Sequence, residues 1–308
     1  MEIALQFVLL ALGFAMLAKG ADWFVEGAAG IAMRFGIPQL VIGLTIVAMG
    51  TSAPEAAVSI AAAVKGNADI TIGNIVGSNI LNILVILGLA ASIVPIAVAR
   101  STVRIEIPFM IAITALLFYQ GRDGSISLAD GGVLMAAFAV YMMYLYTMAM
   151  KSNVDSDLEE PGLPLGRCLL GAVGGLALII AGSNVTVGAA TSIATYAGLS
   201  ERFIGLTIVA LGTSLPELFT SVAAARRGNA DIAIGNIVGS NIFNILFVVG
   251  LSSLIIDIPF ASAFNFDTYV ALGSAVLLLL CVLRTQRLQR WAGALMLVCY
   301  AAYLGYIL

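Results

Sequence analysis

Gly43-Leu-Thr-Ile-Val-Ala-Met-Gly-Thr-Ser-Ala-Pro-Glu55 is present twice in this chain. Gly205-Leu-Thr-Ile-Val-Ala-Leu-Gly-Thr-Ser-Leu-Pro-Glu217 repeats it 162 residues later. Each copy is an apolar, helix-like run interrupted by Gly-Thr-Ser-x-Pro and followed at once by a glutamate. Proline lacks an N–H, and its ring clashes with the carbonyl four residues back, so a helix must open at Pro54 and at Pro216. A carboxylate in the middle of a membrane span costs about 2.5–3.5 kcal/mol on insertion scales. Two such costly features, at matching places, call for a functional reason.

Working outward, residues 43–90 and 205–252 share 34 identities in 48 gap-free positions, and Gly13-Phe-Ala-Met-Leu matches Gly175-Leu-Ala-Leu-Ile at the same offset. The chain is an internal duplication. Apolar runs predict spans at about 3–18 (with an amphipathic extension towards Arg34), 38–64, 70–94, 107–119 and 130–150, with a loop from Pro95 to Glu106. After the linker Lys151–Gly162 the pattern restarts at about 168–195, 203–225, 232–254, 267–283 and 291–307. The expected fold is an all-α polytopic membrane protein of ten transmembrane helices. Its domains are a five-helix repeat over 1–150, a cytoplasmic linker over 151–167 and a second five-helix repeat over 168–308, with helices 2, 3, 7 and 8 broken. Five spans per half is odd, so the second half enters the membrane inverted, a pattern of secondary transporters. With the N-terminus outside, eleven Lys and Arg residues fall in the cytoplasm and three (Lys65, Arg122 and Arg202) outside. The positive-inside rule then places both termini outside.

Composition agrees. Of 308 residues 61% are apolar and 10% charged, against roughly 25% charged in soluble domains. The net charge of -3 is small and says nothing about partners, while the lack of a basic patch and of aromatic-basic interleaving argues against nucleic acid. Cys168, Cys281 and Cys299 form no CxxC pair and read as apolar membrane residues. The chain has no histidine, hence neither the commonest transition-metal ligand nor the commonest proton shuttle. Met1-Glu-Ile-Ala-Leu lacks a basic leader and reads as the start of a first span.

The helix breaks should strip the carbonyls of Ala48 to Thr51, and of Ala210 to Thr213, of their intrahelical partners. Free carbonyls are tolerated at membrane depth only where protein or water receives them. With hydroxyls and a carboxylate they form an all-oxygen set suited to hard cations such as Ca²⁺ and Na⁺. Glu55 and Glu217, brought together by a pseudo-two-fold axis in the membrane plane, would repel one another and be relieved by a divalent cation. Asn74, Ser78 and Asn82 lie four apart on one helical face, and Asn236, Ser240 and Asn244 repeat them. Ser78, Asn82, Ser240 and Asn244 are candidate ligands. Asn74 and Asn236 serve equally as ligands or as interhelical glue. Asn79 and Asn241 point off this face and are assigned to packing or hydrogen bonding. Asp69 and Asp231 are expected as helix caps.

Gly-Thr-Ser-x-Pro-Glu followed by Gly-Asn-x-x-Gly-Ser-Asn-Ile-x-Asn, twice, resembles the two alpha-repeats of the cation/calcium exchanger superfamily, most of all the prokaryotic sodium/calcium exchangers. The resemblance implies a secondary antiporter in a prokaryotic plasma (inner) membrane, with no cofactor and no obligate protein partner. It would exchange Ca²⁺ for Na⁺ by sliding spans one and six across the other eight. It implies that Glu55 and Glu217 bind Ca²⁺ with the carbonyls of Thr51 and Thr213. It further implies flanking Na⁺ sites, one from the carbonyl of Ala48 with Ser52 and Ser78, the other from the carbonyl of Ala210 with Ser214 and Ser240. Asn82 and Asn244 complete the centre. Part of the family carries Asp where this chain has Asn244. The asparagine removes a charge and argues against potassium co-transport. The family's common ratio of three Na⁺ per Ca²⁺ would make the cycle electrogenic. A Ca²⁺/H⁺ antiporter is the nearest alternative, though its Gly-Asn-x-x-Glu motif is absent. A cation channel is another, disfavoured by the tight glycine packing. An intramembrane hydrolase lacks its motif here.

Overall fold

The computed structural model describes residues 2–66, 68–152, 163–198 and 210–307. Most of the linker, Arg202 and the stretch Gly205–Val209 of the second motif copy lie outside the described residues.

The first helix, α1 (Glu2–Phe35), is one unbroken helix of 34 residues, about 51 Å long at the usual rise. The expected span and its amphipathic extension are therefore continuous, as a stretch without proline permits. Gly36, with φ +61, and Pro38 end it. α2 (Gln39–Thr51) and α3 (Ala53–Val64) meet at a 51° bend. Then come α4 (Ile70–Ile93), α5 (Thr102–Asp123), α6 (Leu128–Ser152) and α7 (Leu165–Tyr196). The described part of the second motif forms α8 (Ala210–Thr213) and α9 (Leu215–Arg226). α10 (Ala230–Ile255), α11 (Phe264–Val282) and α12 (Arg290–Ile307) complete the chain. Among the described residues eight helices are long and apolar enough to cross a membrane, and the bent pair α2–α3 makes a ninth.

Two expectations are corrected. Helices 3 and 8 are not broken. α4 and α10 run through, with a π-helical segment at Asn82–Leu87 and at Asn244–Val249. Neither contains proline, so the hydrogen-bond ladder widens instead of parting. The segment before span four is not a loop up to Glu106. A π-helical turn covers Thr102–Glu106, and Glu106 folds inward, fully buried, to accept a hydrogen bond from the Tyr144 hydroxyl.

α4 and α10 form the buried centre of the molecule. Large side chains exposed on the outer helices, among them Val8 and Leu12 of α1, Val140 of α6, Leu170 of α7 and Val298 of α12, make an apolar rim suited to lipid. α1 and α7 pack along their length at backbone distance. A methyl on Gly20 would lie 2.8 Å from the Gly175 carbonyl oxygen, and one on Gly182 would lie 3.0 Å from the Leu17 nitrogen. Glycine lets two helices come this close.

Two short ribbons tie the halves together. β1 (Ile96–Ala97) pairs antiparallel with β4 (Arg287–Leu288), and β2 (Ser125–Ile126) with β3 (Ile258–Pro259). At the 162-residue offset Ile96 corresponds to Ile258 and Ile126 to Leu288. The two ribbons are thus one contact with the halves exchanged. α1 departs from that equivalence: Asp22 and Glu26 bond Arg227, beyond α9, at 3.2 and 3.3 Å, whereas the offset puts Asn184 and Gly188 in their places.

Candidate ion-binding site

Both helix breaks follow from local sequence. Pro54 and Pro216 occupy the first turn of α3 and α9, where a missing N–H is harmless. Ser52 (φ -82°, ψ 7°) and Ser214 (φ -91°, ψ 4°) are the N-cap residues, and Glu55 and Glu217 stand three positions on. Ser-x-x-Glu at a helix start is the capping-box pattern, in which the serine bonds the first turn of its own helix. Neither serine does so. Ser52 Oγ donates to Glu217 Oε1 at 2.8 Å, and Ser214 Oγ donates to Glu55 Oε1 at 3.2 Å. Each half therefore holds the other half's carboxylate. Both glutamates are 1% exposed. Among the described residues the only ion pairs are those of Arg227, so no cation of the described residues pairs with either carboxylate. The positive ends of α3 and α9 lie beneath the two carboxylates.

The asparagines add a second exchanged set. α3 packs against the π-helical segment of α10, which opens with Asn244, and α9 against that of α4, which opens with Asn82. Asn82 Nδ2 donates to Asn241 Oδ1 at 2.9 Å, and Asn244 Nδ2 donates to Asn79 Oδ1 at 3.2 Å. Of the buried side-chain oxygens without a hydrogen-bond partner among the described residues, four belong to these glutamates and asparagines: Glu55 Oε2, Glu217 Oε2, Asn82 Oδ1 and Asn244 Oδ1. Each has its equivalent in the other half. With the glutamates ionised, all four only accept, and an unpaired buried acceptor costs about 1–3 kcal/mol, more when charged. A hard cation satisfies such a set. No cluster of three His, Cys, Asp or Glu occurs among the described residues, so a soft-metal site is not formed there.

The remaining expected ligands are positioned as follows, with two departures from the expected backbone and side-chain contacts. Ala48 keeps its intrahelical bond, because Ser52 N donates to Ala48 O at 3.0 Å. Pro54 removes the donor to Gly50, four residues back, and not the donor to Ala48. The flanking sets also cross halves. Ser240 Oγ, not Ser78, reaches the Ala48 carbonyl, at 3.4 Å, because α10 crosses α2 at a glycine contact. A methyl on Gly239 would lie 2.8 Å from Leu44 Cα, and one on Gly43 would lie 3.2 Å from Gly235 Cα. Thr51 Oγ1 donates to Asn236 Oδ1 at 2.9 Å. Thr213 closes α8, immediately before the N-cap Ser214. Ser78 is buried in α4, and Ala210 opens the described part of its segment.

Asn74 and Asn236 act as glue. Asn74 Nδ2 donates to Ser59 Oγ at 2.9 Å and to Glu55 O at 3.3 Å; Asn236 Nδ2 donates to Ser221 Oγ at 2.8 Å and to Glu217 O at 3.4 Å. Asp69 and Asp231 are first-turn residues behind Ala68 and Asn229, not caps. Sequence reasoning missed Ser59 and Ser221, whose only signal is their identity at the repeat offset. It also missed Ser183 of α7, which donates at 2.7 Å to the carbonyl of Gly212, the one Pro216 deprives of its donor. Ser183 has Ala21 as its equivalent, so the duplication carried no hint.

The family described as sodium/calcium exchanger protein matches residues 5–147 and 168–308. The sodium/calcium exchanger MaX1 of Methanosarcina acetivorans is 33% identical over 346 residues, covering 98% of both chains. The inner membrane protein YrbG of Escherichia coli is 38% identical over 305 residues, covering 94% of this chain and 92% of that one. The solved structure of the sodium-calcium exchanger NCX_Mj, soaked with Na⁺ and Sr²⁺, superposes with a TM-score of 0.86 at 34% identity, covering 98% of this chain and 99% of that one.

Proposed function

The chain belongs to the sodium/calcium exchanger family, a family of membrane antiporters and not of enzymes, and from that premise we propose how this molecule performs the exchange. Ca²⁺ sits between Glu55 and Glu217 with Asn82 and Asn244, and Na⁺ competes for the same carboxylates from flanking positions. Ser52, Ala48 and Ser240 line one flank; Ser214, Ala210 and Ser78 line the other. Thr51 and Thr213 contribute main-chain carbonyls.

The observation that carries this reading is the set of four orphaned oxygens, two from each half. Two formal negative charges match one Ca²⁺ or two Na⁺. A third Na⁺ per cycle, the ratio implied by resemblance, makes exchange electrogenic. Asn244 supplies no third carboxylate, which supports independence from potassium. The exchanged ribbons and hydrogen bonds, with the sequence duplication and its five expected spans per half, support ten helices in two inverted repeats: 1–150 and 168–308, joined by the cytoplasmic segment 151–167. Both termini then lie outside. The inner-membrane relative YrbG supports the same membrane for this protein. The glycine-lined α1–α7 pair is built to slide as a unit across the centre, opening it to one side and then the other.

In proteoliposomes loaded with Na⁺, an outward Na⁺ gradient drives uptake of ⁴⁵Ca²⁺. Glu55→Gln and Glu217→Gln each reduce that uptake more than tenfold, over about 1.4 kcal/mol of binding or transition-state energy. Uptake surviving in both variants ends this assignment.

A further inference from the structure

An asparagine amide has two ends of nearly equal shape, an accepting oxygen and a donating NH₂. A cation centre needs the oxygen, and an NH₂ turned inward would repel the ion. Nothing in Asn82 or Asn244 alone decides between these orientations. The neighbouring residues do.

Asn79 Nδ2 donates to the main-chain oxygen of Asn241 at 3.3 Å, and Asn241 Nδ2 donates to the main-chain oxygen of Asn79 at 3.2 Å. A main-chain carbonyl only accepts, so these two amides have a fixed sense independent of how their ends are assigned. Their oxygens must face the other way. There they receive Asn244 Nδ2, at Asn79 Oδ1, and Asn82 Nδ2, at Asn241 Oδ1. With their NH₂ groups engaged, Asn82 and Asn244 turn Oδ1 inward, where both are buried and unpartnered. All four asparagines are at most 4% exposed.

We propose that Asn79 and Asn241 are positioning residues that pass the polarity of a main-chain carbonyl to the ion centre, Asn79 orienting Asn244 and Asn241 orienting Asn82, each across the two halves. The proposal rests on the exchange reading only in taking the centre to bind cations. It explains why Asn-x-x-Asn occurs in both repeats, at 79 and 82 and again at 241 and 244. The outer member needs a donor and an acceptor at once, which an ionised aspartate does not supply.

The test is a pair of double-mutant cycles. Asn79→Ala frees the Asn244 amide to turn and raises the apparent KM for Ca²⁺ by about tenfold, the usual range for a residue supporting a metal ligand. A carboxylate has no donating end. Once Asn244→Asp is in place, orientation no longer matters, and adding Asn79→Ala changes KM by less than about twofold, within the scatter of independent sites. Asn241→Ala with Asn82→Asp repeats the cycle in the other half and covers the case in which one variant fails to fold. Asn79→Ala in the Asn82→Asp background keeps its full penalty, because that pairing is not the one the hydrogen bonds make. An equal penalty from Asn79→Ala with and without Asn244→Asp, or no penalty from either alanine variant, overturns the proposal. Equilibrium ⁴⁵Ca²⁺ binding to the purified proteins reads the same cycles without transport. Binding that follows the predicted pattern while Na⁺-driven flux is absent would count against exchange and not against the orienting role.

Discussion

Ser52 shows at the scale of one residue how the site is made. It stands at a helix N-cap, three residues before a glutamate, and yet caps nothing of its own helix. Its hydroxyl crosses to Glu217, while Ser214 crosses to Glu55. Ser52→Ala leaves a fully buried carboxylate oxygen without its donor, which costs about 1–3 kcal/mol. The melting temperature of the purified protein should fall, and by more than in Ser214→Ala, because the 2.8 Å bond is the shorter of the two. A larger loss in Ser214→Ala, or none in either, contradicts the exchanged cap. The chemistry of these residues was legible in the sequence. Thr, Ser, Pro and Glu at a break in apolar surroundings announce oxygens and charge. Which half's serine meets which half's glutamate was not legible, because it depends on packing between residues more than 150 positions apart. The same holds for Ser240 at the Ala48 carbonyl. The retained Ala48–Ser52 helical bond, by contrast, follows from counting four residues back from Pro54.

At the scale of helices, the centre holds both a break and a distortion. α2 and α3 part at Ser52 by 51°, while α4 and α10, without proline, stay continuous and accommodate their polar faces with π-helical segments starting at Asn82 and Asn244. Periodicity located these helices. It did not separate broken from widened, since hydrophobic spacing is blind to one extra residue in a turn. The α1–α7 pair has a sharper sequence dependence. A methyl on Gly175 would lie 2.5 Å from the Phe24 nitrogen and 2.7 Å from the Gly20 carbonyl oxygen, whereas one on the adjacent Gly174 would meet nothing within 4 Å among the described atoms. Gly175→Ala should therefore part the helices and lower both the melting temperature and Ca²⁺ uptake. Gly174→Ala should leave uptake intact and gain up to about 1 kcal/mol in helix propensity. Equal behaviour of the two variants would mean that the close approach is not what the glycines serve. The ion pairs of Arg227 with Asp22 and Glu26 add little to this packing, since exposed pairs contribute roughly 0–1 kcal/mol.

For the whole molecule, one offset of 162 residues relates the motif copies, the two ribbons, the serine–glutamate bonds and the asparagine bonds. The duplication was fully legible in the sequence. The odd span count and the distribution of Lys and Arg add the inversion as an inference, which has its own check. Tags placed at the two ends of the chain should both be accessible from the outer face of the plasma membrane, as read in spheroplasts. One accessible and one protected tag would mean an odd total of spans and would remove the inverted repeat. What the duplication did not foretell is where the halves differ. Ser183 and Ala21 are equivalent in sequence, but only Ser183 reaches a carbonyl at a break.

The central claim is that the paired carboxylates and asparagine oxygens exchange Ca²⁺ for Na⁺. It is tested most directly by the counter-ion dependence of ⁴⁵Ca²⁺ uptake into proteoliposomes, compared under an outward Na⁺ gradient, an outward K⁺ gradient and an outward H⁺ gradient. The account predicts uptake with Na⁺ inside, none with K⁺ alone, and none with H⁺ alone. Uptake driven equally well by protons without Na⁺, or unaffected by removing internal Na⁺, would contradict it.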